Sequence, residues 1–252
     1  MSRLVLVAAL ALAAVSTACS SGALGDNGAV RFSFVGSYAN SADASTPVAT
    51  HTTLRVLLQH PQSAGVTADG ATFVQLSLTA KALSGGSEPS VFPTGFAEYG
   101  VYFDKAGSYQ LTAKQGDKEL DHLTLTVKDP DALVFDPSVS VITNTSGTNG
   151  CSDSATVPLA QLDLAENQSA RLVVVPELKG APMMGLPALV ADGPNASFAT
   201  VASSYALTPL TLWVTPTQPG SDIALTATDL GNNLTAKATL KTHSGQADVT
   251  CH

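Results

Sequence analysis

Three cysteines are the residues of this sequence whose chemistry can be interpreted first. Cys19 closely follows an apolar run over residues 4–15, whereas Cys151 and Cys251 lie far downstream. A run of this length is too short to span a bilayer, which takes about 20 residues, but it has the dimensions of a signal-peptide core. The pattern therefore predicts a signal peptide over residues 1–18 and an exported protein.

The segment Ser16-Thr17-Ala18-Cys19 resembles the lipobox of bacterial lipoproteins, in which the cysteine becomes the acylated first residue. The resemblance implies lipidation of Cys19 and attachment to a membrane. Ser20 after the cysteine implies sorting to the outer membrane of a diderm bacterium, with the face of the membrane left open. Ordinary secretory cleavage after Ala18 is the alternative, because the family prefers an aliphatic residue at the position of Ser16.

The lipobox resemblance also bears on the two later cysteines. In an oxidising compartment three thiols would leave one unpaired, whereas acylation of Cys19 leaves Cys151 and Cys251 as a pair. A disulfide between them would close a loop of about 100 residues and, in the chain-entropy model, stabilise the fold by roughly 4.7 kcal/mol. The Gly-, Ser- and Ala-rich residues 19–28 predict a flexible tether between the anchor and the first domain.

The other reactive side chains form no recognised catalytic or metal-binding motif. The five histidines lack H-E-x-x-H and H-x-H spacing, and no C-x-x-C, nucleophile elbow or phosphate-binding glycine loop occurs. We therefore expect no catalytic residue, no metal site and no cofactor. His60 and His122 are interpreted as ordinary exposed or edge residues. An envelope hydrolase with an unrecognised site is kept as an alternative.

Composition restricts the class of protein and its partners. The 252 residues are 44% hydrophobic and only 13% charged, which is typical of a globular chain. The net charge is −8 and no basic run occurs, so there is nothing to neutralise phosphates and we expect no nucleic-acid partner.

Alternation of apolar and polar residues predicts strands along most of the chain. The clearest alternating segments are 30–35, 53–59, 73–80, 109–114, 122–127 and 138–143. The nearest helix candidate is 163–172, for which a loop or a single turn is an equal alternative because of its polar content.

A self-match indicates two similar domains. The segment 106–113 recurs at 219–227, and each copy continues into a polar turn and a further alternating strand, so each copy predicts a β-hairpin. The strand that begins Gly-Ser-Tyr resembles the closing hairpin of bacterial immunoglobulin-like domains, in which a tyrosine anchors a corner. Tyr109 stands at that position, whereas the second copy has Asp222 there.

These observations predict an all-β fold of two tandem immunoglobulin-like β-sandwiches, over residues 29–128 and 131–252, after the signal peptide and tether. The polar segment between them carries three carboxylates. Asp129, Asp131 and Asp136 could bind Ca²⁺ at the junction, but a solvated hinge is the simpler interpretation.

The segment 176–190 departs from the regular pattern, because Met183 and Met184 lie there among prolines and glycines. It is interpreted either as an exposed apolar binding loop or as a crossover packed against the edge of a sandwich.

The function favoured by the sequence is a lipid-anchored, non-enzymatic scaffold, spacer or adhesion module of the bacterial cell envelope. Its expected partners are the membrane and an envelope protein or glycan. A carbohydrate-binding sandwich is the alternative, and it would be supported if Trp213, Tyr99 and Tyr102 shared one exposed face.

Overall fold

The computed structural model of this chain describes residues 22–35, 43–59, 76–144, 152–201 and 211–247. Their regular structure is almost entirely β, and the helical element among them is a short 3-10 turn, Leu159–Gln161. No described helix is long and apolar enough to cross a membrane. The predicted all-β class is confirmed.

Two sheets form the first module. Its strands are β1 (Gly22–Leu24), β2 (Arg31–Val35), β3 (Val48–Ala49), β4 (Thr52–Gln59), β5 (Leu76–Ser84), β6 (Ser90–Gly95), β7 (Glu98–Phe103), β8 (Gly107–Gln115) and β9 (Lys118–Lys128). One sheet has the order β1-β2-β4-β7-β6 and the other has the order β3-β9-β8-β5. All pairs within them are antiparallel except β3 with β9.

Two further sheets form the second module. Its strands are β10 (Ala132–Phe135), β11 (Ser138–Asn144), β12 (Ser152–Pro158), β13 (Asp163–Leu164), β14 (Gln168–Leu178), β15 (Ala181–Pro182), β16 (Leu186–Pro187), β17 (Leu189–Asp192), β18 (Ala196–Val201), β19 (Thr211–Pro216), β20 (Ile223–Asp229) and β21 (Thr235–Thr242). One sheet has the order β12-β11-β14-β19-β18, and the other has the order β13-β21-β20-β17. Strands β10 and β15 also pair with β14, whereas β16 pairs with β4 of the first module.

Each module has its own hydrophobic core. The first contains Phe32, Phe34, Phe103 and Leu125, and the second consists mostly of aliphatic side chains such as Leu172, together with Phe135. Burial of a large apolar side chain contributes about 1.5–3 kcal/mol, so each cluster drives the packing of its two sheets. The two clusters share no residue, which agrees with the two tandem sandwiches predicted from the sequence.

The alternating segments form strands as predicted wherever they fall within the described residues. Both copies of the repeat are antiparallel hairpins, β8–β9 in the first module and β20–β21 in the second. The helical interpretation of 163–172 is wrong: β13, a turn at Ala165–Asn167 and the start of β14 occupy that stretch. The linker segment also contains β10, which pairs with β14.

Tyr109 anchors a corner of the first module. Its hydroxyl donates a 2.7 Å hydrogen bond to the carbonyl of Lys105, four residues upstream, while its ring packs edge-on against Phe103 with centroids 4.9 Å apart. A Cβ on Gly86 would lie 2.1 Å from that hydroxyl oxygen, so only glycine fits there. Burial and the nearby Asp104 carboxylate raise the pKa of the Tyr109 hydroxyl, which therefore stays protonated and able to donate.

The predicted tether is ordered from residue 22 onward. Gly22–Leu24 pairs with β2, and the Asp121 carboxylate accepts hydrogen bonds from the backbone N–H groups of Asn27, Ala29 and Val30 at 2.7–2.9 Å. A fourth comes from the N–H of the residue after it. The expectation of a flexible tether therefore fails for 22–28, because a buried carboxylate satisfies the donors of that turn.

We predict that Asp121→Asn lowers the free energy of unfolding by about 3 kcal/mol, because an amide nitrogen cannot accept from backbone N–H groups that stay buried. Burial raises the pKa of Asp121, but the four N–H donors outweigh it, so the pKa is lowered from its usual 3.8. Its stabilising contribution is thus complete above that value and is lost as pH falls through the folded-state pKa. Urea denaturation should show the full loss of unfolding free energy in the variant at neutral pH and a smaller loss at about pH 3.

Asp117→Asn provides the control, since Asp117 is exposed in the β8–β9 turn. It should change the unfolding free energy by less than about 0.5 kcal/mol. Equal stability of the two variants at neutral pH would show that Asp121 does not hold the segment.

Candidate functional site: the junction and the exposed faces

A short segment of the second module inserts into the first. Residues 181–187, which we call the strap, place Met184 with no exposed surface in the core cluster of the first module. The Met184 N–H donates to the carbonyl of Pro47 and its carbonyl accepts from the N–H of Ala49, both at 2.9 Å. A side chain that lies in the second half of the sequence thus completes the core of the first half.

Strand pairing extends this contact. In the strap, β16 pairs with β4 at Leu186–Thr53 and Pro187–Thr52. Gly185 precedes the pair with φ +109°, and a Cβ there would lie 1.9 Å from the hydroxyl oxygen of Thr52. Glycine is therefore required both by the backbone conformation and by the close approach of Thr52.

The other methionine of this segment stays with its own module. Met183 is buried, with 2% of its surface exposed, and its N–H donates to the carbonyl of Pro176. Because both methionines are buried, the interpretation of 176–190 as an exposed apolar binding loop is wrong for them. The alternative, a crossover packed against a sandwich, describes the strap.

A turn of the second module makes the second contact of the junction. The Asn232 side-chain amide, in the β20–β21 turn, donates to the carbonyl of Thr50 at 2.9 Å. The same amide donates to the carboxylate of Asp229, which has no exposed surface. Gly231 lies against His51, where a Cβ would come within 2.3 Å of the His51 Cβ atom. The junction therefore rests on hydrogen bonds and close packing as well as on apolar burial.

The three acidic residues of the linker do not converge. Asp129 accepts from the hydroxyl of Thr50, Asp131 from the backbone N–H of Lys179, and Asp136 from that of Ser138. Each carboxylate therefore accepts hydrogen bonds from a different residue. Across the described ranges, no group of three or more His, Cys, Asp or Glu side chains is arranged to hold a metal ion.

Cys19, Cys151 and Cys251 lie outside the described residues, as do His60 and His252. The lipidation and the disulfide therefore stay predictions.

The segments that flank the two later cysteines approach the same corner of the second module. Ser152, which follows Cys151, pairs with Asn144 at the end of β11. Ala247, four residues before the last cysteine, exchanges hydrogen bonds of 2.8 and 3.1 Å with Asn167 just before β14. Because β11 and β14 are antiparallel neighbours, the end of β11 lies beside the start of β14.

The described histidines and cavity offer little for catalysis. His122 lies at the surface of β9 between the carboxylates of Asp26 and Glu119, each 3.1 Å away, with no nucleophile among its contacts. A cavity of about 130 Å³ in the second module has Asp163 as its titratable lining residue. Small-molecule sites are usually larger, at about 300–1,000 Å³.

The three aromatic residues considered for sugar binding do not share a face. Tyr99 and Tyr102 are three positions apart on β7, so they point to opposite sides of the sheet. The Tyr99 hydroxyl donates to the carbonyl of Leu76, whereas that of Tyr102 lies 3.3 Å from Nδ1 of His51. Trp213 belongs to β19 in the second module, where it pairs across strands with other residues.

No protein-family model matches the sequence, and no curated protein matches it. Among solved structures, this chain is similar to domains 5–6 of the S-layer protein SbsC, at 16% identity and a TM-score of 0.32, covering 81% of this chain and 95% of that one. FdeC, an Escherichia coli adhesin, is 17% identical with a TM-score of 0.27, covering 79% of this chain and 61% of its own. InvD of Yersinia pseudotuberculosis is 18% identical with a TM-score of 0.25, covering 82% and 57%.

We predict that Met184→Ala destabilises the first module although it alters a residue of the second. The vacated core volume should lower the unfolding free energy by about 2–5 kcal/mol. Hydrogen exchange followed by mass spectrometry should show faster exchange of the amides at the start of β4, because β16 of the strap pairs with Thr52 and Thr53.

The matched control is Val190→Ala, an apolar truncation at a residue that is 50% exposed and only six positions away. It should leave β4 exchange unchanged. Equal exchange in the two variants would contradict the assignment of Met184 to the first core.

Proposed function

We propose that this protein is a lipid-anchored, non-enzymatic scaffold of the bacterial cell envelope in which two β-sandwiches are held as one rigid unit. The observation that carries the proposal is Met184, a second-module side chain buried in the first-module core and bracketed by backbone hydrogen bonds. Two domains that move independently on a flexible linker would not need such an insertion. A spacer that holds one domain at a fixed distance from the membrane depends on a junction of this kind.

The order of residues 22–28 refines this proposal. If Cys19 is acylated, only Ser20 and Ser21 separate the lipid from β1, which begins at Gly22. At about 3.3–3.6 Å per extended residue, two residues span about 7 Å. The first module would then lie against the membrane surface, and the junction would hold the second module away from it.

A binding role fits the described surface better than a catalytic one. The small cavity has one carboxylate in its lining, Asp163, whose Oδ1 lies 3.0 Å from Nδ1 of the exposed His243, and the acidic residues of the linker are engaged in separate contacts. Partners would therefore meet sheet faces, edges or turns, as expected for a scaffold or adhesion module.

The proximity of the flanking segments supports a Cys151–Cys251 disulfide. Residues 152 and 247 are held near the same strand ends by β11 pairing and by Asn167. Such a bond would restrain the last residues of the chain against the second module, the one that the scaffold presents outward.

The anchor is tested by mass spectrometry of the full-length protein purified from bacterial membranes. We expect loss of residues 1–18 and a diacyl or triacyl mass on Cys19. Cys19→Ser should remove that mass and release the protein from the membrane fraction. An unmodified cysteine at the mature N-terminus would overturn the anchored form of the proposal but leave the rigid two-module body unaffected.

The disulfide is tested by alkylation with and without prior reduction. We expect Cys151 and Cys251 to react only after reduction. The single variants Cys151→Ser and Cys251→Ser form a matched pair, because each should release one alkylatable thiol and lower stability by about 2–5 kcal/mol. Complete alkylation of the unreduced wild-type protein would exclude the bond.

A further inference from the structure

One outer sheet face of the second module carries an unusual combination of side chains. Paired residues in antiparallel strands point to the same side of a sheet, so the registers define rows that cross β12, β11, β14, β19 and β18. The first row is Ser154, Ile142, Ser169, Thr215 and Ser197. The second row is Thr156, Ser140, Arg171, Trp213 and Ala199. We call these ten residues the Trp213 face.

The face points away from the core. The residues that alternate with it along the strands, such as Val141, Ala170 and Leu212, are buried in the second core cluster. Ser154, Thr156, Ser197 and Ala199, on the two outer strands, are exposed, and Trp213 and Arg171 at the centre are partly exposed.

Arg171 forms no ion pair with any residue that the structure describes. Among the described residues, no carboxylate lies within ion-pair distance of its guanidinium, whereas Arg55 of the first module pairs with Glu98. None of the ten residues of the Trp213 face is acidic, although the protein carries a net charge of −8. The face therefore has a single positive charge at its centre within an acidic protein.

We propose that the Trp213 face binds an acidic polysaccharide, with a uronic acid residue at its centre. The apolar face of a sugar ring would stack on the Trp213 indole, and the sugar carboxylate would accept a bidentate pair of hydrogen bonds from the Arg171 guanidinium. The hydroxyls of the exposed Thr156 and Ser197 on the outer strands can donate and accept, as sugar hydroxyls require, whereas those of Ser169 and Thr215 hydrogen-bond each other. Five strands spaced about 4.8 Å apart make a platform about 19 Å wide, enough for an extended chain of sugars.

The occupant follows from charge and shape together. A neutral glycan would leave Arg171 unused, and a nucleic acid would require several cations for its phosphates, whereas the face has one. A protein could also anchor on a tryptophan and an arginine, but the serine and threonine residues that surround this pair match the hydroxyl groups of a sugar chain. This binding is independent of Cys19 and of the disulfide, so its failure would leave the proposed scaffold unaffected.

Trp213 is the only tryptophan of the chain, so its fluorescence reports directly on the face. We expect titration of the purified full-length protein with oligogalacturonate to change that emission saturably. Neutral dextran, which has sugar rings without charge, and poly-glutamate, which has carboxylates without sugar rings, should not change the emission. No response to oligogalacturonate, or an equal response to dextran or poly-glutamate, would overturn the proposal.

The variants are read by mobility in native gels that contain polygalacturonate, so that loss of tryptophan does not remove the signal. Trp213→Ala and Arg171→Gln should each weaken binding, as reported by retardation, about tenfold or more. Arg171→Lys should bind more weakly than the wild-type protein but more tightly than Arg171→Gln, because a lysine keeps the charge but cannot form the bidentate pair.

Lys118→Gln is the matched control for loss of positive charge, because Lys118 is exposed in the first module. It should bind as the wild-type protein does. Because Arg171 is at the surface, Arg171→Gln should keep the wild-type unfolding midpoint. Retardation that is unchanged in Arg171→Gln, or lost equally in Lys118→Gln, would exclude the assigned site.

Discussion

The burial of Met184 in the core of the other module is the contact on which the architecture depends. The first sandwich is not self-contained, because its core includes a side chain that the second module supplies, and the strap that supplies it also pairs with β4. Separation of the modules would open a cavity and expose backbone groups at Pro47 and Ala49 together. Because both penalties fall on the same movement, separating the modules costs more than breaking the hydrogen bonds of the junction alone.

The regular strands could be predicted because their period-2 pattern is local. The hairpin repeat was equally visible, since both copies keep the same turn and closing strand, and even Tyr109 could be assigned to a corner. The strap could not be located in this way. Nothing in Gly-Ala-Pro-Met-Met-Gly-Leu-Pro states which module buries the second methionine, because that depends on contact with Pro47 and Ala49, more than 130 positions earlier. Sequence composition indicated a departure from the pattern but not its partner.

The tether is a second case in which the local sequence does not reveal a distant partner. Its Gly-, Ser- and Ala-rich composition favours disorder, yet Asn27, Ala29 and Val30 all donate to one carboxylate on β9, more than 90 residues away. A buried charged acceptor can offset the conformational entropy of several small residues, since each charge-assisted hydrogen bond contributes about 1.5–3 kcal/mol. Local composition therefore underestimated how far the first module extends toward its N-terminus. That extension is what leaves only two residues between Cys19 and β1.

The three aromatic residues considered together in the sequence do not meet on one face, for a related reason. The sequence groups aromatic residues by type, and this favoured Trp213 together with Tyr99 and Tyr102, which the fold assigns to different modules and opposite sheet faces. Register brings other residues to Trp213: Arg171 across one strand and Ala199 across the next. The excess of acidic residues is also unevenly distributed, since none lies on the ten-residue face around that pair. In a protein of net charge −8, Arg171 lies beside an indole on an acid-free face and pairs with no carboxylate among the described residues, which gives this surface a positive centre.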